Sequence, residues 1–203
     1  MELWIATSNK GKLSEFKLLF DKELPALRVF SQADLPTFHA PPENGKTFLD
    51  NARIKARSMK AMKPGQWVMG EDSGLEVEAL NNLPGIHSAR YAGPHASDSE
   101  NMAKLLKMLQ IRTNAVRKAR FLCTMVVFSP TGEELQFVGE LAGSIERTPR
   151  GQMGFGYDPI FLPDGESKTL AELGPAFKTK SSHRAKATLE FIVKLGSAIS
   201  VPD

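Results

Sequence analysis

At 203 residues, with 41% apolar and 24% charged residues, the chain is long enough for a sizeable core and is neither disordered nor fibrous in composition. Its net charge of +3, from 26 basic and 23 acidic residues without a dense block of either sign, is too mild to point to nucleic acid as a partner. The single cysteine, Cys123, excludes a disulfide framework and a multi-cysteine metal site, and within "F-L-C-T-M-V-V-F" it reads as a small core residue.

The chain opens with a strand-like run, "L-W-I-A-T", a polar turn "T-S-N-K-G-K", and a helix with Leu13, Phe16 and Phe20 on one face. No apolar run approaches the roughly 20 residues that span a bilayer and no charged leader precedes the first strand, so a cytoplasmic location with no membrane partner is expected. Residues 31–46, rich in Pro, Asn and Gly, read as a loop. Thr47, with Asp50 three residues on, starts a second helix whose buried stripe is Phe48, Ala52, Ala56 and Met59. "Q-W-V-M-G-E-D-S-G-L-E-V-E-A-L" reads as two strands broken around Asp72, Ser73 and Gly74, and a further helix covers roughly 98–109.

Two β-rich runs around "P-T-G-E" form the clearest hairpin. After the glycine-rich stretch "R-G-Q-M-G-F-G-Y-D-P" come a short strand "P-I-F-L", a loop "P-D-G-E", a brief helix near "T-L-A-E-L", and a last helix from about Ser182 with Ala185, Leu189, Ile192 and Leu195 inward. No repeat or long linker divides the chain, so residues 1–203 are expected to form a single domain.

Four polar stretches could carry chemistry. Thr7, Ser8, Asn9, Lys10, Gly11 and Lys12 lie between a strand and a helix, where backbone N–H groups and the helix dipole suit a phosphate, although a plain N-cap with solvated lysines has the same residues. The spacing of a P-loop is absent. Glu43, Glu71 and Asp72 offer hard oxygens of the kind that bind Mg²⁺ together with phosphates, or else a turn at a strand end. Strand alternation lets only one of Glu71 and Asp72 face a given ligand. Arg53, Lys55 and Arg57 form a solvated helix face unless Lys55 turns toward those carboxylates, where it would compensate triphosphate charge. Phe155 and Tyr157 offer stacking surface, and Asp158, His183 and Arg184 offer polar groups that could read a base edge. His39, His87 and His95 receive no role.

In chain order, "A-T-S-N-K-G-K-L-S-E-F", "F-L-D-N-A-R-I-K-A-R", "E-D-S-G-L-E-V-E-A-L-N-N-L-P-G-I-H-S-A-R-Y-A-G", "G-F-G-Y-D-P-I-F" and "S-H-R-A-K-A" resemble the inosine triphosphate pyrophosphatase family, over about residues 3–195. The resemblance implies an α/β fold: an elongated mixed, twisted sheet wrapped by helices into two lobes with a central active-site cleft. It implies a homodimer, Mg²⁺, and cleavage of deaminated purine nucleoside triphosphates (dITP, ITP, XTP) between the α- and β-phosphates. By the same resemblance Thr7 to Lys12 and Lys55 hold phosphate, Asp72 is catalytic and metal-linked, Glu43 assists the metal, and Ser73 touches substrate. Phe155, Gly156, Tyr157 and Asp158, with Lys178, His183 and Arg184, enclose the purine; Lys180 is the alternative to Lys178. A pyrophosphatase for another modified nucleotide, and a nucleotide- or RNA-binding module without chemistry, are the competing expectations.

Overall fold

The computed structural model describes residues 1–112 and 116–199. Its strands are β1 (Glu2–Ala6), β2 (Arg28–Ser31), β3 (Trp67–Val77), β4 (Leu83–Pro84), β5 (Lys118–Phe128), β6 (Glu134–Ile145) and β7 (Phe161–Pro163). Its helices are α1 (Lys10–Glu23), α2 (Phe48–Met62), α3 (Asp98–Ile111), α4 (Leu170–Ser181) and α5 (His183–Ile199). The strands run in the order β2-β1-β3-β5-β6-β7, with β4 on β3. The sheet is mixed: β1 lies parallel to β2 and β3, while β3 and β4, and β6 and β7, are antiparallel. The expected α/β class and mixed sheet are both present.

The chain divides into two compact units, and β3, β5 and β6 each begin in one and end in the other. The first unit comprises Met1–Asp72, Cys123–Gly139 and the C-terminal helix from His183. Its strands alternate, so each face has its own core. Leu3, Ile5, Met69, Cys123, Met125 and Val127 pack against Phe16 and Phe20 of α1 and Phe191 and Leu195 of α5. Trp4, Ala6 and Val68 meet Met59 of α2 on the opposite face, where Val126 and Phe128 meet Ala52 and Ala56. Truncating one of these buried phenylalanines to alanine should cost about 3–5 kcal/mol.

Two close approaches fix the helices of this unit. A Cβ on Gly70 would strike the Ala52 carbonyl and come within 2.5 Å of the Ala56 nitrogen, so α2 lies directly on β3 only because residue 70 has no side chain. Gly139 of β6 does the same for the start of α5, where a Cβ would strike the His183 carbonyl.

The second unit, Ser73–Leu122 and Glu140–Ser182, has one core. Leu75 and Val77 of β3, Phe121 of β5 and Ile145 of β6 pack with Leu105 and Leu109 of α3, Ile160, Phe161 and Leu170. The rings of Phe121 and Phe161 lie 4.7 Å apart.

Three expectations need correction. The stretch around Asp72 and Ser73 is not a break between strands: β3 continues from Trp67 to Val77. Ser31 closes β2, and residues 32–34 form a 3-10 turn capped by Ser31, so the 31–46 segment is not loop throughout. The helix near "T-L-A-E-L" does not stop there. Gly174 leaves helical geometry at φ 71°, Pro175 restarts the helix, and the second piece carries "K-T-K-S" to Ser181.

Candidate active site

The turn between β1 and α1 is built around Asn9. Its side chain caps α1 by accepting from the Lys12 N–H at 2.9 Å, and its own N–H donates to Thr7 Oγ1 at 3.2 Å. Thr7 is buried, whereas Ser8, Asn9 and Lys10 are exposed and Gly11 and Lys12 are half-buried. No acidic residue stands in the first turn of α1, so its partial positive charge is uncompensated there. N–H groups and lysines gathered at a helix start make this segment an anion site in chemical terms.

Residues 71 and 72 face opposite sides of β3, as strand alternation requires. Glu71 points to the α1 and α5 side, where its carboxylate is fully buried. It accepts from Lys12 Nζ at 2.9 Å and from an Arg184 nitrogen at 3.1 Å, with the Cys123 thiol at 3.5 Å. Arg184 also pairs with Glu15, so two cations and two carboxylates neutralise one another in the interior. Burial works against the Arg184 charge, but Glu71 and Glu15 outweigh it and hold the guanidinium ionised.

Asp72 points to the α2 side. Asn51 Nδ2 donates to one of its oxygens at 3.1 Å and Lys55 Nζ to the other at 3.0 Å. Residues 51 and 55 are one helical turn apart, which stacks them on one face of α2 and allows both to reach a single carboxylate. Lys55 also lies 3.1 Å from Glu43, the exposed acid in the proline-rich loop. Burial pushes the Asp72 carboxyl above its ordinary value of 3.8, against the pull of Lys55 and Lys12. Burial also opposes the Lys55 charge, yet Asp72, Glu71 and Glu43 together raise its pKa. One ammonium, that of Lys55, thus faces two carboxylates, Asp72 and Glu43.

The second unit gathers the aromatic loop. Asp158, buried, accepts from the Phe155 N–H at 3.0 Å and from Lys178 Nζ at 2.6 Å. The same ammonium sits 4.8 Å from the centre of the Phe155 ring. Tyr157 is buried, its hydroxyl donating to the Ser88 carbonyl at 2.9 Å, and its pKa is raised by burial. Asp98, the first residue of α3, accepts the Gly156 N–H at 2.6 Å. Gly154 has φ 85° and would place a Cβ on the Asp158 carboxylate, so this glycine serves the loop's own fold. A Cβ on Gly156 would meet nothing within 4 Å; only its φ of 62° asks for glycine.

The expected residues thus form two constellations. The first unit brings together Thr7 to Lys12 with Glu71, and Glu43 with Lys55 and Asp72. The second unit brings together Phe155, Gly156, Asp158 and Lys178, with Tyr157 turned into the core. Lys178 is buried and Lys180 exposed, so the lysine turned inward is 178. Ser73 follows Asp72 on β3 and is half-buried. His183, buried, begins α5, and Arg184 has its guanidinium on Glu15 and Glu71. Sequence reasoning gave no role to Asn51 or Asp98. What sets Asn51 apart is full burial inside a helix, where asparagine is a poor former, and that burial shows only in the structure.

Comparison with known proteins agrees along almost the whole chain. The Ham1 family pattern matches residues 3–194. A protein of Bdellovibrio bacteriovorus named dITP/XTP pyrophosphatase is 60% identical over 195 residues, covering 96% of this chain and 98% of its own. Among solved structures, a HAM1 protein from Coxiella burnetii superposes with a TM-score of 0.86 at 36% identity, covering 97% of this chain and 99% of that one. The Ham1 protein of Staphylococcus aureus gives 0.84 at 37%, covering 98% and 100%. With its five sequence blocks, its mixed sheet and these full-length matches, the chain belongs to the Ham1 family.

Proposed function

We propose that this protein is a dITP/XTP pyrophosphatase, which hydrolyses deaminated purine nucleoside triphosphates to the monophosphate and pyrophosphate and so keeps them out of DNA and RNA. The observation that carries the reading is Asp72: a buried carboxylate held by Asn51 and Lys55, in the same unit as the anion-suited turn of residues 7–12. The relative at 60% identity, named for this activity, supports it.

In this reading Thr7, Ser8, Asn9, Lys10, Gly11, Lys12 and Lys55 take the triphosphate, and Ser73 contacts substrate. Asp72 accepts the proton of the water that attacks the α-phosphorus. Lys12, Lys55 and the N–H groups at the start of α1 take up charge that develops on the leaving pyrophosphate. Among the described residues no three His, Cys, Asp or Glu side chains group to hold a metal unaided. Asp72 and Glu43, both drawn to one ammonium, are instead a donor pair of the kind that binds Mg²⁺ jointly with phosphate oxygens. The ion would neutralise phosphate charge as a Lewis acid.

The base falls to Phe155, Gly156, Tyr157 and Asp158 with Lys178, all of the second unit. A 6-oxo purine presents an acceptor where adenine presents an amino donor, and the Lys178 ammonium beside the Phe155 ring supplies donors that would oppose that amino group. A homodimer, a cytoplasmic location and indifference to nucleic acid complete the proposal. Among the described residues no helix is long and apolar enough to cross a membrane. The test is a triphosphate panel: release of pyrophosphate from dITP, ITP and XTP, at rates well above those for ATP and GTP, is expected. Equal rates on ATP and dITP would remove the proposed specificity.

A further inference from the structure

We infer that Asn51 is a positioning residue that ties Asp72 and the Glu43 loop into one arrangement. The inference rests on the role proposed above for Asp72. Asn51 is fully buried and uses both ends of its side-chain amide. Its Oδ1 accepts the Gly45 N–H at 2.9 Å, and its Nδ2 donates to Asp72 at 3.1 Å. The orientation is determined by chemistry: the reverse would set a carbonyl oxygen against the carboxylate and an NH₂ group against the Gly45 N–H.

Two further observations point the same way. Gly45 is pressed against this amide so closely that a Cβ there would lie 2.6 Å from Asn51 Oδ1 and 2.6 Å from the Asp50 Cβ. Glu43, two residues before Gly45, is engaged by Lys55, the residue one turn along α2 from Asn51. Asn51 and Lys55 thus each touch both Asp72 and the loop, one through a neutral amide and the other through a charge. In the proposed reaction Lys55 engages phosphate, whereas a neutral amide has no charge to draw it there. Asn51 is the contact that keeps the Asp72 carboxylate plane and the 43–45 segment in place when Lys55 engages substrate.

The test compares wild type with Asn51→Ala, which loses both bonds, and Asn51→Asp, which keeps the oxygen for Gly45 and replaces the neutral donor to Asp72 with a second carboxyl group. Pyrophosphate release from dITP is measured per active site, counted by titration with a non-hydrolysable analogue, and backbone amide exchange is followed across residues 43–46 by mass spectrometry. Both variants are expected to lose kcat by about 10- to 100-fold with KM changed far less, as for other residues that orient a reacting group. Faster exchange at the 43–46 segment is expected in Asn51→Ala and wild-type exchange in Asn51→Asp. A role confined to stability would lower the count of active sites and leave kcat per site unchanged; kcat per site within twofold of wild type in Asn51→Asp overturns the inference. If Asn51→Ala does not fold, Asn51→Asp alone decides. Absence of release by wild type would contradict the functional reading instead, and the exchange comparison still tests the tie between Asn51 and the loop.

Discussion

Individual residues divide into those whose chemistry shows in sequence and those that need a neighbour to be understood. Asp72 belongs to the first kind, and Asp72→Asn should lower kcat by about 10²- to 10⁴-fold while nucleotide binding, followed by calorimetry, persists. Lys178 belongs to the second. In sequence it is one lysine of a polar run; in the structure it is buried and bonded to the buried Asp158 at 2.6 Å. Lys178→Met removes the ammonium bonded to that buried carboxylate, so a loss of about 3–5 kcal/mol in denaturant unfolding is expected. Glu71 and Arg184 were legible as polar positions, but their mutual pairing spans 113 residues of chain and has no local signature. Asn51 went unread because an asparagine within a helical pattern carries no sign of whether it faces water or a carboxylate.

Elements bounded by local chemistry were the most legible. Thr47 and Asp50 cap α2 reciprocally, as their spacing predicted, and Ser97 with Glu100 and Thr169 with Glu172 repeat the device at α3 and α4. The hairpin of β5 and β6 likewise followed from "P-T-G-E", where the Gly132 N–H bonds back to the Ser129 carbonyl. Elements decided by distant partners were misread. Ser73 and Gly74 resemble a turn, yet β3 is sustained by pairing with β1 before them and β4 after them. Hydrogen bonds from Ser31, Thr47, Ser97 and Thr169 hold Asp34, Asp50, Glu100 and Glu172 below their ordinary values of 3.8 and 4.5. A depressed folded-state pKa adds stability that is complete above the ordinary value and is lost as the pH falls through the folded one. Melting temperature should therefore fall as the pH drops below about 4.5, and Asp50→Asn combined with Glu172→Gln should flatten that slope. Gly70→Ala tests the seat of α2: overpacking against Ala52 and Ala56 should cost about 1–3 kcal/mol, seen as a lowered melting temperature.

At the scale of the whole molecule, the sequence offers no apolar run long enough for a membrane-spanning helix and only a mild net charge of +3, and neither speaks to chemistry. The chemistry emerged from the order of five short blocks, which the fold distributes between two compact units. In the first, the alternation of β3 sends Glu71 to an internal charge network and leaves Asp72 to α2 and the Glu43 loop. In the second, an aromatic loop is fastened by Asp98, Asp158 and Lys178. Removal of divalent ions by a chelator should abolish turnover, and added Mg²⁺ should restore it, because Asp72 and Glu43 alone are too few ligands without the ion's phosphate partners. The most direct measurement of the central claim is pyrophosphate release by the purified protein from dITP, XTP, dGTP and ATP, with Mg²⁺ present. Rapid release from dITP and XTP with little from dGTP and ATP is the predicted result; no release from any of the four, or equal release from all, would contradict it.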